Sequence, residues 1–176
     1  MALTATPYKF NLQLSDLDRG LYPSVRLTVA RHPSETPVRL AARLLAYALW
    51  YDERLEFGRG LSNVDEPALW EKSLDGRVLH WIEVGQPDAE RLDRAARRDQ
   101  RVSLLAYGNL APWEEKHLPS LARLDRLRIA APDQQALETL AAGLQRSIEW
   151  SVMVSEGALY VNDAEGQHDM GLRWVK

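Results

Sequence analysis

The chain has 176 residues, a formal net charge of -3, 45% hydrophobic residues and no cysteine. That length suits one domain spanning residues 1–176, and the lack of cysteine excludes disulfides, thiol chemistry and Cys-ligated zinc. The acidic balance excludes a broadly basic surface, though not a local basic groove. With no apolar run of about 18 residues and no secretory-signal pattern, a cytoplasmic monomer with no membrane association is expected.

"YKFNLQLSDLDRGLY" alternates Phe10, Leu12 and Leu14 with polar residues, then turns through residues 15–20. "YPSVRLTVARHP" alternates again through Val25, Leu27 and Val29, which predicts an antiparallel pair. Thr36 followed by Pro37 matches an N-cap with proline at the first helical position. Val38, Ala41, Leu44, Leu45, Ala48 and Leu49 then give a broad apolar helical face. "PALWEKSLDGRVLHWIEVG" holds two strand-like runs joined by Asp75-Gly76, a signal for a two-residue hairpin. "DAERLDRAARRDQ" predicts a helix burying Ala89, Leu92, Ala95 and Ala96, and "RVSLLAYG" a short buried strand. A helix near residues 112–124, the strand "RLRIAAP" and the helix "DQQALETLAAGLQR" continue the alternation. A terminal hairpin with an added strand closes the chain. The expected fold class is α/β, a mixed central sheet flanked by helices.

With Asp75-Gly76 as the loop, Trp70 falls opposite Trp81, Ala68 opposite Glu83, and Glu66 opposite Gly85. Glu66, Trp70, Trp81 and Glu83 then share one face, with Asp65 and Gln86 on the other. Pro67 and Gly85 invite irregularities that would turn Asp65 or Gln86 toward Glu83. Carboxylates held close together repel, and a divalent cation such as Mg²⁺ or Mn²⁺ relieves that repulsion. A cation so placed supports phosphodiester hydrolysis. The plainer alternative is that Asp65-Glu66-Pro67 is a solvated turn and Glu83 pairs with a nearby arginine. Arg91, Arg94 and Arg98 lie on one helical stripe and are candidates for binding phosphate, although Asp88, Glu90 and Asp93 are placed to pair with them. The pair Asp16 and Asp18 is a weaker cation candidate, and Ser and Asp are ordinary turn formers.

"SDLDRGLY", "ARHPSETP", "LLAYALWYDERLEF", "GLSNVDEPALWEK" and "WIEVGQPD" together resemble the YaeQ family, over nearly the whole chain. That family looks like a variant of the PD-(D/E)XK nuclease superfamily. The resemblance implies a restriction-endonuclease-like core with extra strands at both ends. It also implies that Asp65 or Glu66 is the first acid and Glu83 the acid of the E-x-K motif, together the metal ligands. The motif lysine is missing: Gly85 stands in its place, and Gln86 is the nearest polar side chain, able to hydrogen-bond water but carrying no charge. Asp65, Glu66, Glu83 and Gln86 are therefore the candidate catalytic set. The function implied is Mg²⁺- or Mn²⁺-dependent nuclease-like chemistry on DNA or RNA. The alternative is an inactive nuclease-fold protein that binds nucleic acid or a partner protein, in transcription for example.

Overall fold

The computed structural model describes residues 4–176 apart from 60, 62 and 100. The chain forms two compact units, residues 1–49 with 133–172, and residues 50–132 with 173–176. Each carries its own mixed sheet, where the sequence predicts one central sheet.

The first unit contains β1 (Thr6–Asp16), β2 (Ser24–Arg31), α1 (Pro37–Leu49), α4 (Gln134–Ala142), β8 (Ser147–Ser155), β9 (Ala158–Asp163) and β10 (Gly166–Asp169). Its strand order is β10-β9-β8-β1-β2. The predicted alternation is present: Phe10, Leu12 and Leu14 are buried, and so are Ile148, Trp150, Val152 and Val154 on the neighbouring strand. β1 and β2 pair antiparallel, as expected, but β1 and β8 pair parallel, Phe10 beside Ile148. That second pairing joins segments more than 130 residues apart, so no local sequence pattern encodes it. Phe10 meets Trp150 edge-on at 5.4 Å and Tyr47 of α1 at 6.3 Å. The N-cap at Thr36 is formed, its hydroxyl accepting from the Arg39 amide at 3.1 Å.

The second unit contains β3 (Leu55–Phe57), β4 (Leu69–Lys72), β5 (Val78–Val84), α2 (Ala89–Arg98), β6 (Arg101–Leu105), α3 (Leu110–Leu121), β7 (Leu127–Ala131) and β11 (Arg173–Trp174). Its strand order is β11-β7-β6-β5-β4-β3. β5, β6 and β7 are parallel, linked by the crossovers through α2 and α3, and the remaining pairings are antiparallel. Trp81, Leu92, Ala95, Val102, Leu104, Trp113, Leu121 and Ile129 form the core between this sheet and α2 and α3. The terminal strand expected beside the last hairpin pairs with β7 instead.

The β4–β5 turn differs from the predicted two-residue loop. Ser73 N–H donates to the Arg77 carbonyl at 2.8 Å and Gly76, at φ 88°, donates to the Ser73 carbonyl at 3.0 Å, so Leu74, Asp75 and Gly76 form a three-residue loop. Lys72 pairs with Val78 but Glu71 with His80, leaving Leu79 as an extra residue on β5. The bulge cancels the shift introduced by the longer loop. Trp70 thus lies opposite Trp81, as the sequence predicts, with ring centroids 6.1 Å apart at 77°.

Candidate functional site

β5 places Glu83 where the sequence puts it, two residues after Trp81 on the same face, directed toward α2. The side chain is buried, yet it carries a carboxylate, so its partners decide its role. Oε1 accepts from Trp81 Nε1 at 2.8 Å and from Arg91 Nε at 2.7 Å. Arg91 reaches this acid from the first turn of α2. Its other two nitrogens donate to backbone: Nη1 to the Val64 carbonyl at 2.7 Å and Nη2 to the Glu66 carbonyl at 3.2 Å. One guanidinium therefore ties β5, α2 and the β3–β4 loop together.

The two acids nominated as partners of Glu83 have other surroundings. Asp65 is exposed on the β3–β4 loop, where its amide donates to Asn63 Oδ1 at 2.9 Å. The Glu66 carboxylate accepts from the Arg59 amide at 3.1 Å and faces Arg59 Nε at 3.2 Å. It is the carbonyl of Glu66, not its carboxylate, that joins the Glu83 network. Among the described residues no group of three or more His, Asp or Glu is placed to hold a metal ion. The residues present do not fit the Mg²⁺ or Mn²⁺ that the resemblance implies: the acid that would bind it already holds a guanidinium.

Gln86 donates from Nε2 to the Tyr107 carbonyl at 2.9 Å and to the Asn109 carbonyl at 3.4 Å. It latches the β6–α3 loop to the end of β5, where Gly85 and Gly108 both adopt positive φ. A Cβ at Gly108 would lie 2.7 Å from the Gln86 amide nitrogen, so this latch requires glycine there.

The three arginines of the predicted stripe part company. Arg91 points inward to Glu83. Arg94 is exposed and, among the described residues, reaches only Glu90, at 3.8 Å. Arg98 pairs with Asp99 at 3.2 Å and lies 4.7 Å over the Trp81 ring. Arg97 and Arg123 both bond Asp93, at 2.9 and 2.8 Å. In these pairs the acids lie beneath: the side chains of Asp93 and Asp99 are 18% and 2% exposed, those of Arg97, Arg98 and Arg123 72%, 58% and 60%. Lys72 lies 3.7 Å over Trp70, which packs on Trp81. The outer layer along α2 and the hairpin therefore carries exposed arginines interspersed with the exposed acids Glu90, Asp88 and Asp75. Arg97, Arg123 and Lys72 do not stand out in the sequence; Arg97 alone has a local signal, the acid Asp93 four residues before it.

The opposite face of this sheet holds a second polar cluster. His80 Nε2 and Ser103 Oγ lie 2.7 Å apart, both buried. Glu71, also buried, pairs with Arg101 at 3.3 Å, and its carboxyl is pushed above the usual range by burial and by the neighbouring carboxyl of Asp52.

In the first unit, Asp18 caps the β8–β9 turn, its carboxylate accepting from the Glu156 and Gly157 amides at 2.6 and 2.9 Å. Asp16 bonds Arg19 at 2.7 Å. Both acids of the weaker cation candidate thus serve turns. An open groove of about 1240 Å³ crosses the outer face of this sheet, lined among others by Asn11, Gln13, Arg26, Glu149, Ser151 and Asn162. The polar part of its lining is amide and hydroxyl groups with one arginine and three acids, Glu149, Asp163 and Glu165, not a catalytic set.

A family model described as "YaeQ protein" matches residues 1–172. The chain is 37% identical over 174 residues to "Uncharacterized protein YaeQ" of Salmonella typhi, covering 98% of this chain and 96% of that one. It is 33% identical to the protein of the same description from Escherichia coli K12, with the same coverage. Among solved structures, the YaeQ protein from Pseudomonas syringae superposes with a TM-score of 0.95 at 60% identity, covering 98% of this chain and 96% of that one. The YaeQ protein from Xanthomonas axonopodis pv. citri gives 0.94 at 42% identity, with 98% and 99% covered.

Proposed function

The chain belongs to the YaeQ family, and from that premise and the site geometry we propose that it is a nuclease-related protein that binds nucleic acid without cleaving it. The second unit is read as the restriction-endonuclease-like core: an antiparallel hairpin carrying the acid, followed by parallel strands and a helix bordering the site. The observation that carries the non-cleaving reading is the commitment of Glu83 Oε1 to Arg91 and Trp81. With the carboxylate neutralised in this way and glycine at position 85, the described residues around Glu83 offer neither a second carboxylate bonded to it nor a lysine to activate water. Gln86, the remaining polar candidate, spends its amide protons on loop carbonyls.

Binding is supported by the outward arginines. Arg94, Arg97, Arg98 and Arg123 present fork-shaped donors that match phosphate oxygens; Asp93 holds Arg97 and Arg123 through Nη2 and Asp99 holds Arg98 through Nε and Nη2, while each of these arginine side chains stays more than half exposed. A surface of this kind recognises the backbone rather than the bases, so affinity falls with salt and depends little on sequence. Fluorescence anisotropy with labelled single-stranded and duplex DNA and RNA tests this. Salt-dependent binding that persists in EDTA, and so does not require Mg²⁺, is expected. Failure to bind any of these probes at low salt would overturn it.

A further inference from the structure

Three oxygen atoms from three chain positions converge on the Arg91 guanidinium: Glu83 Oε1 at 2.7 Å, the Val64 carbonyl at 2.7 Å and the Glu66 carbonyl at 3.2 Å. One carboxylate and two backbone carbonyls are hard oxygen donors, the ligand type taken by Ca²⁺ and by the lanthanides that mimic it. The carboxylate is also held independently of Arg91. Glu83 sits on a central strand with the Trp81 indole bonded to the same oxygen, and the loop carbonyls follow a chain fixed at Gly58, whose amide donates to the Ala68 carbonyl at 2.9 Å.

We propose that the Arg91 guanidinium is a resident cation filling a latent three-oxygen cation site, so that the protein supplies its own positive charge there and shuts a metal ion out. This goes beyond the nucleic-acid reading and stands without it, since it needs only the geometry around Arg91. The guanidinium suits the task because it is planar, permanently charged and carries N–H groups on three nitrogens. It answers three oxygens lying in different directions without shedding a tight hydration shell. Mg²⁺ would have to lose water and impose octahedral geometry on the same atoms. The inference also accounts for a carboxylate buried on a strand whose partners among the described residues are an indole and a guanidinium: the charge it needs comes from the helix.

Removing the side chain leaves the same three oxygens, Glu83 Oε1 and the Val64 and Glu66 carbonyls, facing an emptied volume that a cation can take. The test is Tb³⁺ luminescence excited through tryptophan, with Trp81 hydrogen-bonded to the liganding carboxylate. Wild type, Arg91→Ala and the double variant Arg91→Ala/Glu83→Gln are titrated, with Ca²⁺ as competitor. The expected result is that Arg91→Ala binds Tb³⁺ at least about tenfold more tightly than wild type, and that the gain disappears in the double variant. Ca²⁺ should also raise the melting temperature of Arg91→Ala and leave the wild type unchanged. A folded Arg91→Ala protein with no Glu83-dependent gain overturns the proposal. Should circular dichroism show Arg91→Ala unfolded, Arg91→Gln replaces it. The wild type compared with Glu83→Gln gives an independent reading: equal Tb³⁺ affinity is expected, and a Glu83-dependent loss overturns the proposal.

Discussion

Trp81 and Arg91 donate to the same oxygen of Glu83, the indole at 2.8 Å and the guanidinium at 2.7 Å. A strand residue and a helix residue thereby share one buried acceptor, and the acid acts as a joint between β5 and α2.

Removing that joint should cost stability. Glu83→Ala strands a guanidinium, 29% exposed, with two backbone partners and no counter-charge, and leaves the Trp81 N–H without its acceptor. A loss of about 1–3 kcal/mol is expected from unsatisfied donors of this kind. Urea unfolding followed by circular dichroism measures it. Glu83→Gln, which keeps an acceptor oxygen, should lose less.

Glu71 should make stability depend on pH in an unusual direction for a carboxylate. Burial first, then the hydrogen bond and charge of Asp52, raise its pKa above the reference 4.5, with Arg101 opposing. A raised folded-state value means the folded protein binds this proton more tightly than the unfolded chain. The stabilising contribution is therefore complete below 4.5 and is lost as pH rises through the higher folded value. Glu71→Gln fixes the neutral form, so its melting temperature should decline less than that of the wild type as pH is raised from acid toward neutrality.

The latch at the end of β5 gives a backbone prediction. Gly108 has φ 96° and no room for a Cβ beside Gln86. Gly108→Ala should destabilise by about 1–3 kcal/mol through backbone strain. Gln86→Ala, which removes the obstructing amide, should lessen the penalty without abolishing it. A double-mutant cycle on thermal unfolding reads the coupling.

The arginine layer gives a binding prediction. Arg94→Ala and Arg97→Ala should each weaken nucleic-acid binding similarly for every sequence and reduce the slope of log affinity against log salt by about 1. Arg94 makes a long contact to Glu90, and Asp93 keeps Arg123 when Arg97 is removed, so neither change should unfold the protein.

What the sequence carries of this fold is its local part. The Thr36-Pro37 helix start, the buried stripe of α2 and the facing of Trp70 and Trp81 all follow from periodicity and turn chemistry. The last of these is present for a different reason than the sequence suggests, because a longer loop and a bulge at Leu79 cancel. The split into two sheets is not legible, since it depends on β1 pairing with β8 and on Arg173 and Trp174 crossing to β7. At the site, Glu83 and Arg91 are both visible as candidates, eight residues apart. That they meet each other rather than a shared ion depends on which way α2 rotates its first turn, and on where the loop carbonyls of Val64 and Glu66 point. Side-chain spacing does not encode carbonyl directions.

The most direct test of the account incubates end-labelled DNA and RNA, single-stranded, duplex and branched, with purified protein in Mg²⁺, in Mn²⁺ and in EDTA, and reads both the bound fraction and strand integrity. Binding in all three conditions with every strand intact is the result predicted from Glu83 held by Arg91. Cleavage that requires the metal and disappears in Glu83→Ala would contradict it.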